Sequence, residues 1–161
     1  IRTFTKSTIL ELRDTIWAMN HDAIDFEDLR ARILNFVEKA KDATGTIDFN
    51  FTIDESLIGV KLTSLAGMNI YRSIQEAVNN AIKYSEADQI DIDVKKNDGK
   101  MWIQIKDNGI GFDIPSTERG NGLVNMEKRI EDIEGSFKLS SEVNKGTTIT
   151  LLVNIQENMV L

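Results

Sequence analysis

A switch in hydrophobic period divides this chain into long amphipathic helices and short alternating strands. From about Ser64 to Tyr84, the residues Ile70, Ile74, Ala77, Val78 and Ala81 recur at the spacing of one helix face. Immediately afterwards the period drops to two. Gln89–Lys96 and Lys100–Asp107 alternate apolar with polar residues and are joined through Asn97-Asp98-Gly99, which reads as a three-residue hairpin connection. A second alternating pair, about Phe137–Val143 and Thr147–Ile155, follows a helix predicted from about Gly122 to Glu134. Ahead of the long helix the pattern predicts a helix over about Thr3–Met19, with Ile9, Leu12, Ile16 and Met19 on one stripe. A second helix is expected over about Asp25–Ala43, carrying Phe26, Leu29, Ile33, Phe36, Val37 and Ala40 and closed by Gly45. Ile47, Phe49, Phe51 and Ile53 then alternate as a half-buried strand. Strands clustered in hairpins, with helices between the clusters, argue for an α+β two-layer architecture rather than a doubly wound parallel sheet.

Length and composition narrow the function classes. At 161 residues, 41% apolar and 28% charged, the chain suits a single packed domain. Nineteen basic residues against 26 acidic ones leave a net charge of −7, with no compensating basic patch, so a nucleic-acid backbone is not an expected partner. No apolar run reaches the ~18 residues a spanning helix needs, so direct membrane contact is not expected either. The absence of cysteine excludes disulfides, thiolate metal sites and cysteine nucleophiles, and agrees with a cytoplasmic location. A single histidine, His21, rules out multi-histidine metal sites. The first residue is Ile1 rather than methionine, from which the chain is expected to be part of a longer protein.

Three constellations carry candidate chemistry. On the long helix, Glu76 and Asn80 lie one turn apart with Lys83 on the same side. A carboxylate and a carboxamide so placed can jointly address a ligand or a hard cation, and a solvated polar face would carry the same pattern. Asp107 ends a strand whose inward residues are Met101, Ile103 and Ile105. Parity therefore puts its carboxylate at the mouth of an apolar layer, where it requires donors. Gly109 and Gly111 follow, allowing the backbone to turn and approach a ligand; an Asp-Asn-Gly turn is the alternative. Gly120 and Gly122 open the next helix, whose free N–H groups form an anion site or an ordinary helix start. Gly146-Thr147-Thr148 begins the last strand, with Thr147 on its inward side.

In this order the stretches resemble the ATP-binding catalytic domain of sensor histidine kinases, of the Bergerat superfamily shared with gyrase-type topoisomerases, mismatch-repair ATPases and large heat-shock chaperones. Glu76-x-x-x-Asn80-x-x-Lys83-Tyr84 resembles the N box, Asp107-x-Gly109-x-Gly111 the first glycine box, Gly120-x-Gly122-Leu123 the second, and Gly146-Thr147-Thr148 the last. The resemblance runs from about Thr46 to Ile155. It implies a mixed five-stranded sheet covered by about three helices and preceded by a remnant N-terminal helix. It also implies that Asp107 accepts from the adenine amino group, with a water shared with Thr148 or its neighbour Thr147. Asn80 would ligate Mg²⁺, Lys83 or Tyr84 would help hold the phosphates, and Gly120, Gly122 and Leu123 would complete the phosphate cradle. Glu76 would orient or deprotonate the nucleophile. Phe112 to Arg119 correspond to the ATP lid, where Arg119 either reaches the terminal phosphates or stays in solvent.

Glu11 to Asn20, reading Glu-Leu-Arg-Asp-Thr-Ile-Trp-Ala-Met-Asn, is similar to the end of the second dimerisation helix in nitrate-sensor and desaturase-sensor kinases. The expected organisation is thus a dimerisation-helix end over 1–22 and an ATP-binding domain over 23–161. The phosphoaccepting histidine is expected upstream of Ile1. His21 is rejected for that role because it lies where the helix ends, with no room for a second dimerisation helix before the catalytic domain. The implied partners are the acceptor helix, a dimer partner and a response regulator. Two other readings share the features: an anti-sigma-type serine kinase, and a nucleotide-responsive module that has lost transfer. A helix over residues 1–20 favours the sensor kinase, and a strand there the serine kinase.

Overall fold

The computed structural model describes residues 2–19, 22–155 and 158–160. Four α-helices and seven strands follow in the order α1 (Arg2–Met19), β1 (Ala23–Asp25), α2 (Phe26–Thr44), β2 (Asp48–Ile53), β3 (Lys61–Thr63), α3 (Ser64–Tyr84), β4 (Gln89–Asn97), β5 (Lys100–Asp107), α4 (Asn121–Glu131), β6 (Ser136–Glu142) and β7 (Gly146–Asn154). Five strands form one mixed sheet in the order β2-β4-β5-β7-β6. β2 runs parallel to β4, and every other pairing in that sheet is antiparallel. This is the expected two-layer α+β architecture, with α2, α3 and α4 over one face.

The core lies between that face and the helices. Ile74 and Val78 of α3 and Ile130 of α4 are fully buried, as are Ile92, Ile103 and Leu151 of the sheet. These strand residues occupy one side of each strand because side chains alternate, and the register carries them into rows: Ile92 faces Ile105, and Ile103 faces Val94 and Leu151. Burying such side chains contributes ~1.5–3 kcal/mol each, which fixes the register, since a one-residue slip would move the whole set to solvent.

Several sequence expectations change. The β4–β5 connection is a two-residue turn, not a three-residue one: Asn97 pairs with Lys100, and Asp98 and Gly99 both adopt positive φ (49° and 72°). Two left-handed residues give a turn whose twist matches the strands it joins. α4 stops at Glu131 rather than Glu134, and Glu134 enters the left-handed region at φ 56° before Gly135. A small antiparallel β1–β3 sheet, too short to show a period, had no sequence signal. The tail beyond residue 156 joins it through a Leu62–Met159 bridge and a Val160 N–H bond to the Lys61 carbonyl. The buried Asn158 amide donates to the Ile133 and Asn154 carbonyls, clasping the ends of α4 and β7.

α1 is two-faced. Its predicted apolar stripe points away from the domain: Ile9, Leu12, Ile16 and Met19 are 46%, 57%, 55% and 78% exposed. The opposite side docks by polar and aromatic contacts. Arg32 of α2 places its guanidinium 3.9 Å from the Trp17 ring centre and pairs with Asp14 at 3.0 Å. Trp17 meets Tyr71 of α3 edge-on, and Arg72 donates to the Thr15 hydroxyl. Burial, reinforced by the Asp14 charge, pushes the Tyr71 phenol up to about 12. His21 lies outside the described residues.

Candidate functional site

A cavity of about 530 Å³ opens between α3, α4 and the ends of β5 and β7. Its volume falls in the ~300–1,000 Å³ range of small-molecule sites. The floor is apolar: Ile105, Ile149 and Leu139 come from three adjacent strands in one cross-strand row. Next in the same direction is a polar row, in which Asp107 of β5 faces Thr147 of β7, which faces Ser141 of β6.

Asp107 is 5% exposed. Its Oδ1 accepts the Gly109 N–H at 2.9 Å and the Thr147 N–H at 3.3 Å. Among the described residues Oδ2 has no such partner, so one oxygen is spent on the fold and the other is left toward the cavity. Burial pushes the carboxyl above its ordinary range, and the Gly109 and Thr147 N–H groups oppose that rise by stabilising the anion.

The loop after Asp107 is held by tight backbone packing. A Cβ on Gly109 would strike the Ser85 carbonyl oxygen, and one on Gly111 would strike that of Glu142. Gly111 also has φ +57°, which side-chain-bearing residues rarely adopt. Ile110 donates its N–H to the Ser85 carbonyl, and Asn108 accepts from the Asp88 and Gln89 N–H groups through its side-chain oxygen. Asn108 thereby anchors the loop to the start of β4. The following lid, with a short 3₁₀ turn at Ile114–Ser116, leads to Gly120, the N-cap of α4.

The far end of the cavity is formed by α3 and the α4 N-terminus. Glu76 and Asn80 both line it, and the Glu76 carboxylate lies so near the Gly122 Cα that a Cβ there would collide with Oε1. The α4 N-terminus supplies free N–H groups and the positive end of its dipole. Arg119, at the end of the lid, pairs with Glu127 of α4 at 2.9 Å and lies 5.6 Å from the Phe137 ring centre. It thus lines the cavity while sharing its charge with an α4 carboxylate.

Nine of the twelve sequence candidates line the cavity: Glu76, Asn80, Tyr84, Asp107, Gly111, Gly120, Gly122, Leu123 and Thr147. Three do not. Gly109 acts one layer back, through its packing on Ser85 and its bond to Asp107. Lys83 projects into solvent on the last turn of α3. Thr148 pairs with Lys106 and Ser140 on the opposite side of the sheet, because strand alternation gives the inward position to Thr147. Of the two threonines offered beside Asp107, Thr147 is the one that lines the cavity. The cavity also includes Phe112, expected only as the start of the lid, and Ser85, Ile110, Ile149 and Leu139, which had no expected site role. Strand parity was available for the last two, whereas the others depend on the loop path.

The chain matches the family described as histidine kinase-, DNA gyrase B- and HSP90-like ATPase over residues 67–157. It is 28% identical over 157 residues to the signal transduction histidine-protein kinase/phosphatase DegS of Brevibacillus brevis, covering 96% of this chain and 40% of that protein. It is 33% identical over 90 residues to the oxygen sensor histidine kinase NreB of Staphylococcus carnosus, covering 55% and 26%. The chain thus spans less than half the length of the curated relatives it matches. Among solved structures, it resembles the histidine kinase domain of the Erythrobacter litoralis EL346 blue-light activated histidine kinase, with TM-score 0.69, 14% identity, and 80% and 62% of the two chains covered. It also resembles the catalytic domain of the histidine kinase ThkA, with TM-score 0.66, 20% identity, and 82% and 94% covered. At these identities the structural likeness is one of fold.

Proposed function

The chain belongs to the histidine kinase-, DNA gyrase B- and HSP90-like ATPase family, and from that premise we propose that it is the ATP-binding domain of a two-component sensor kinase. In this reading it delivers the ATP γ-phosphoryl group to a histidine on an acceptor helix, for relay to a response regulator. The observation that carries the proposal is the polarity of the cavity. A buried acceptor, Asp107, stands at one end beside an apolar floor, and the N-terminus of α4 stands at the other, with Glu76 and Asn80 lining the cavity wall.

Adenine fits the Asp107 end. The Asp107–Thr147 row adjoins the Ile105–Ile149 row, so a flat base stacked on the apolar floor would bring its exocyclic amine to the carboxylate. A guanine base would set its carbonyl oxygen against that carboxylate, at a cost of ~1–3 kcal/mol for the unpaired group. The phosphates would then reach the α4 N-terminus, where Gly120, Gly122 and Leu123 offer backbone N–H groups. Tyr84 lines the cavity at the end of α3, whereas Lys83, in solvent, would reach the phosphates only by swinging inward.

No group of three acidic or histidine side chains that could hold a metal ion alone occurs among the described residues. The amide oxygen of Asn80, which lines the cavity, is a hard ligand suited to a divalent ion brought in with the nucleotide. Such an ion, when bound, offsets charge on the phosphate oxygens. Glu76 would orient the incoming imidazole or hold its proton, a role that its nearness to Gly122 supports.

The N-terminal helix supports a sensor kinase over the serine kinase. Residues 2–19 are helical, and Ile9, Leu12, Ile16 and Met19 turn outward, as a helix packing on acceptor and dimer-partner helices requires. No described helix is long and apolar enough to cross a membrane. The test is phosphoryl transfer in trans: labelled ATP, this chain and an acceptor-helix protein should yield acid-labile label on the acceptor, lost with Glu76→Gln while ATP binding persists. Label retained with Glu76→Gln would remove Glu76 from its assigned role. ATP binding without transfer to any acceptor would favour the non-catalytic module.

A further inference from the structure

Ser141 of β6 is a half-buried hydroxyl on which several groups converge. The inward residues of this strand read Phe137, Leu139, Ser141, so a serine takes the next position of an otherwise apolar row. Its Oγ accepts the Phe112 N–H at 2.9 Å, lies 3.2 Å from the Gly146 carbonyl oxygen, and lies 2.8 Å from the Thr147 hydroxyl. A carbonyl only accepts, so both contacts are hydrogen bonds at once only when Ser141 gives its single proton to Gly146. The Thr147 contact can then be satisfied only if Thr147 donates to Ser141. With its proton committed there, Thr147 presents lone pairs alone to the cavity it lines beside Asp107.

We infer that Ser141 is a specificity-setting positioning residue: it fixes the Thr147 hydroxyl as an acceptor and thereby selects a base bearing an exocyclic amine. The inference rests on the proposed adenine site. Asp107 supplies one acceptor facing the base, and Ser141 makes the adjacent hydroxyl a second. Both suit an amine, directly or through a shared water, and neither suits a 6-oxo purine. The same hydroxyl holds the Phe112 amide, where the lid leaves the sheet, so the lid root and the base-reading row share one anchor.

Without Ser141 the Thr147 hydroxyl is free to rotate and donate, and discrimination falls. The test compares ATP with inosine triphosphate, whose base carries a carbonyl at the same position, by calorimetric titration of wild type, Ser141→Ala and Ser141→Thr. Ser141→Ala is expected to weaken ATP about fivefold, one net hydrogen bond, with inosine triphosphate unchanged or tighter. Ser141→Thr keeps the hydroxyl and should keep the wild-type preference. If Ser141→Ala fails to fold, Ser141→Cys serves, since its sulfur is similar in size and a weak hydrogen-bonding group. Equal loss for both nucleotides, or an unchanged ratio, would overturn the inference and leave the adenine site standing. A wild-type chain that binds both nucleotides equally would instead overturn the adenine reading, and this inference with it.

Discussion

Replacing Asp107 by asparagine separates what this residue does for the fold from what it does for the ligand. Oδ1 accepts two backbone N–H groups, from Gly109 at 2.9 Å and Thr147 at 3.3 Å. Asparagine keeps an oxygen for both and loses a buried charge, so stability should change by less than about 1 kcal/mol. Alanine would instead strand two N–H groups, at ~1–3 kcal/mol each. Toward the cavity, Asp107→Asn replaces an acceptor by an NH₂ donor facing the adenine amine. One such mismatch costs ~1–3 kcal/mol, or roughly 5- to 150-fold in affinity. GTP, whose carbonyl now meets a donor, should gain relative to ATP. Calorimetric titration with both nucleotides, alongside thermal unfolding, reads all three quantities. An Asp107→Asn chain that loses ATP and GTP equally, with an unchanged melting temperature, would refute the direct contact.

The same residue sets a pH dependence with two signs. Burial raises the Asp107 pKa on folding, so its stability contribution is present below the ordinary carboxylate value and is lost as pH rises through the folded one. ATP binding has the opposite sign: it needs the ionised acceptor and should fall as pH drops through that raised value. The ratio of wild-type to Asp107→Asn affinity cancels the titration of the nucleotide itself and should shrink on acidification.

Two further perturbations test other parts. Gly122→Ala places a methyl group against the Glu76 carboxylate, a flexible group that can swing aside. Stability should change by less than ~1 kcal/mol, while phosphoryl transfer falls further than ATP affinity; equal losses would show that Glu76 is not specific to the transfer step. Arg32→Ala removes the Asp14 ion pair and the Trp17 contact together, at ~1–3 kcal/mol. Hydrogen exchange should speed up in α1 and not in the β4–β5 hairpin; uniform acceleration would show that α1 is integral to the core.

How much was legible depended on periodicity. α3 spans the residues its apolar stripe delimits, and the buried position of Asp107 follows from Met101, Ile103 and Ile105 on its strand. Thr147 faces inward for the same reason. The elements that escaped had no period to read: β1 and β3 have three residues each, and their pairing is a long-range event. The Asn97-Asp98-Gly99 segment held the right turn chemistry, but the two-residue form is set by the Asn97–Lys100 register. Ser141 was missed because one serine on a strand is unremarkable until Phe112, Gly146 and Thr147 arrive around it. The outward stripe of α1 was visible in sequence, but its docking through Asp14, Trp17 and Arg32 was not.

Titrating magnesium-ATP and magnesium-GTP into this chain in a calorimeter asks whether the cavity between α3 and α4 is an ATP site read by Asp107. One saturable ATP site in the micromolar range is expected, weakened when magnesium is chelated, with GTP markedly weaker. No ATP heat, or equal binding of GTP, would rule out an ATP site read by Asp107.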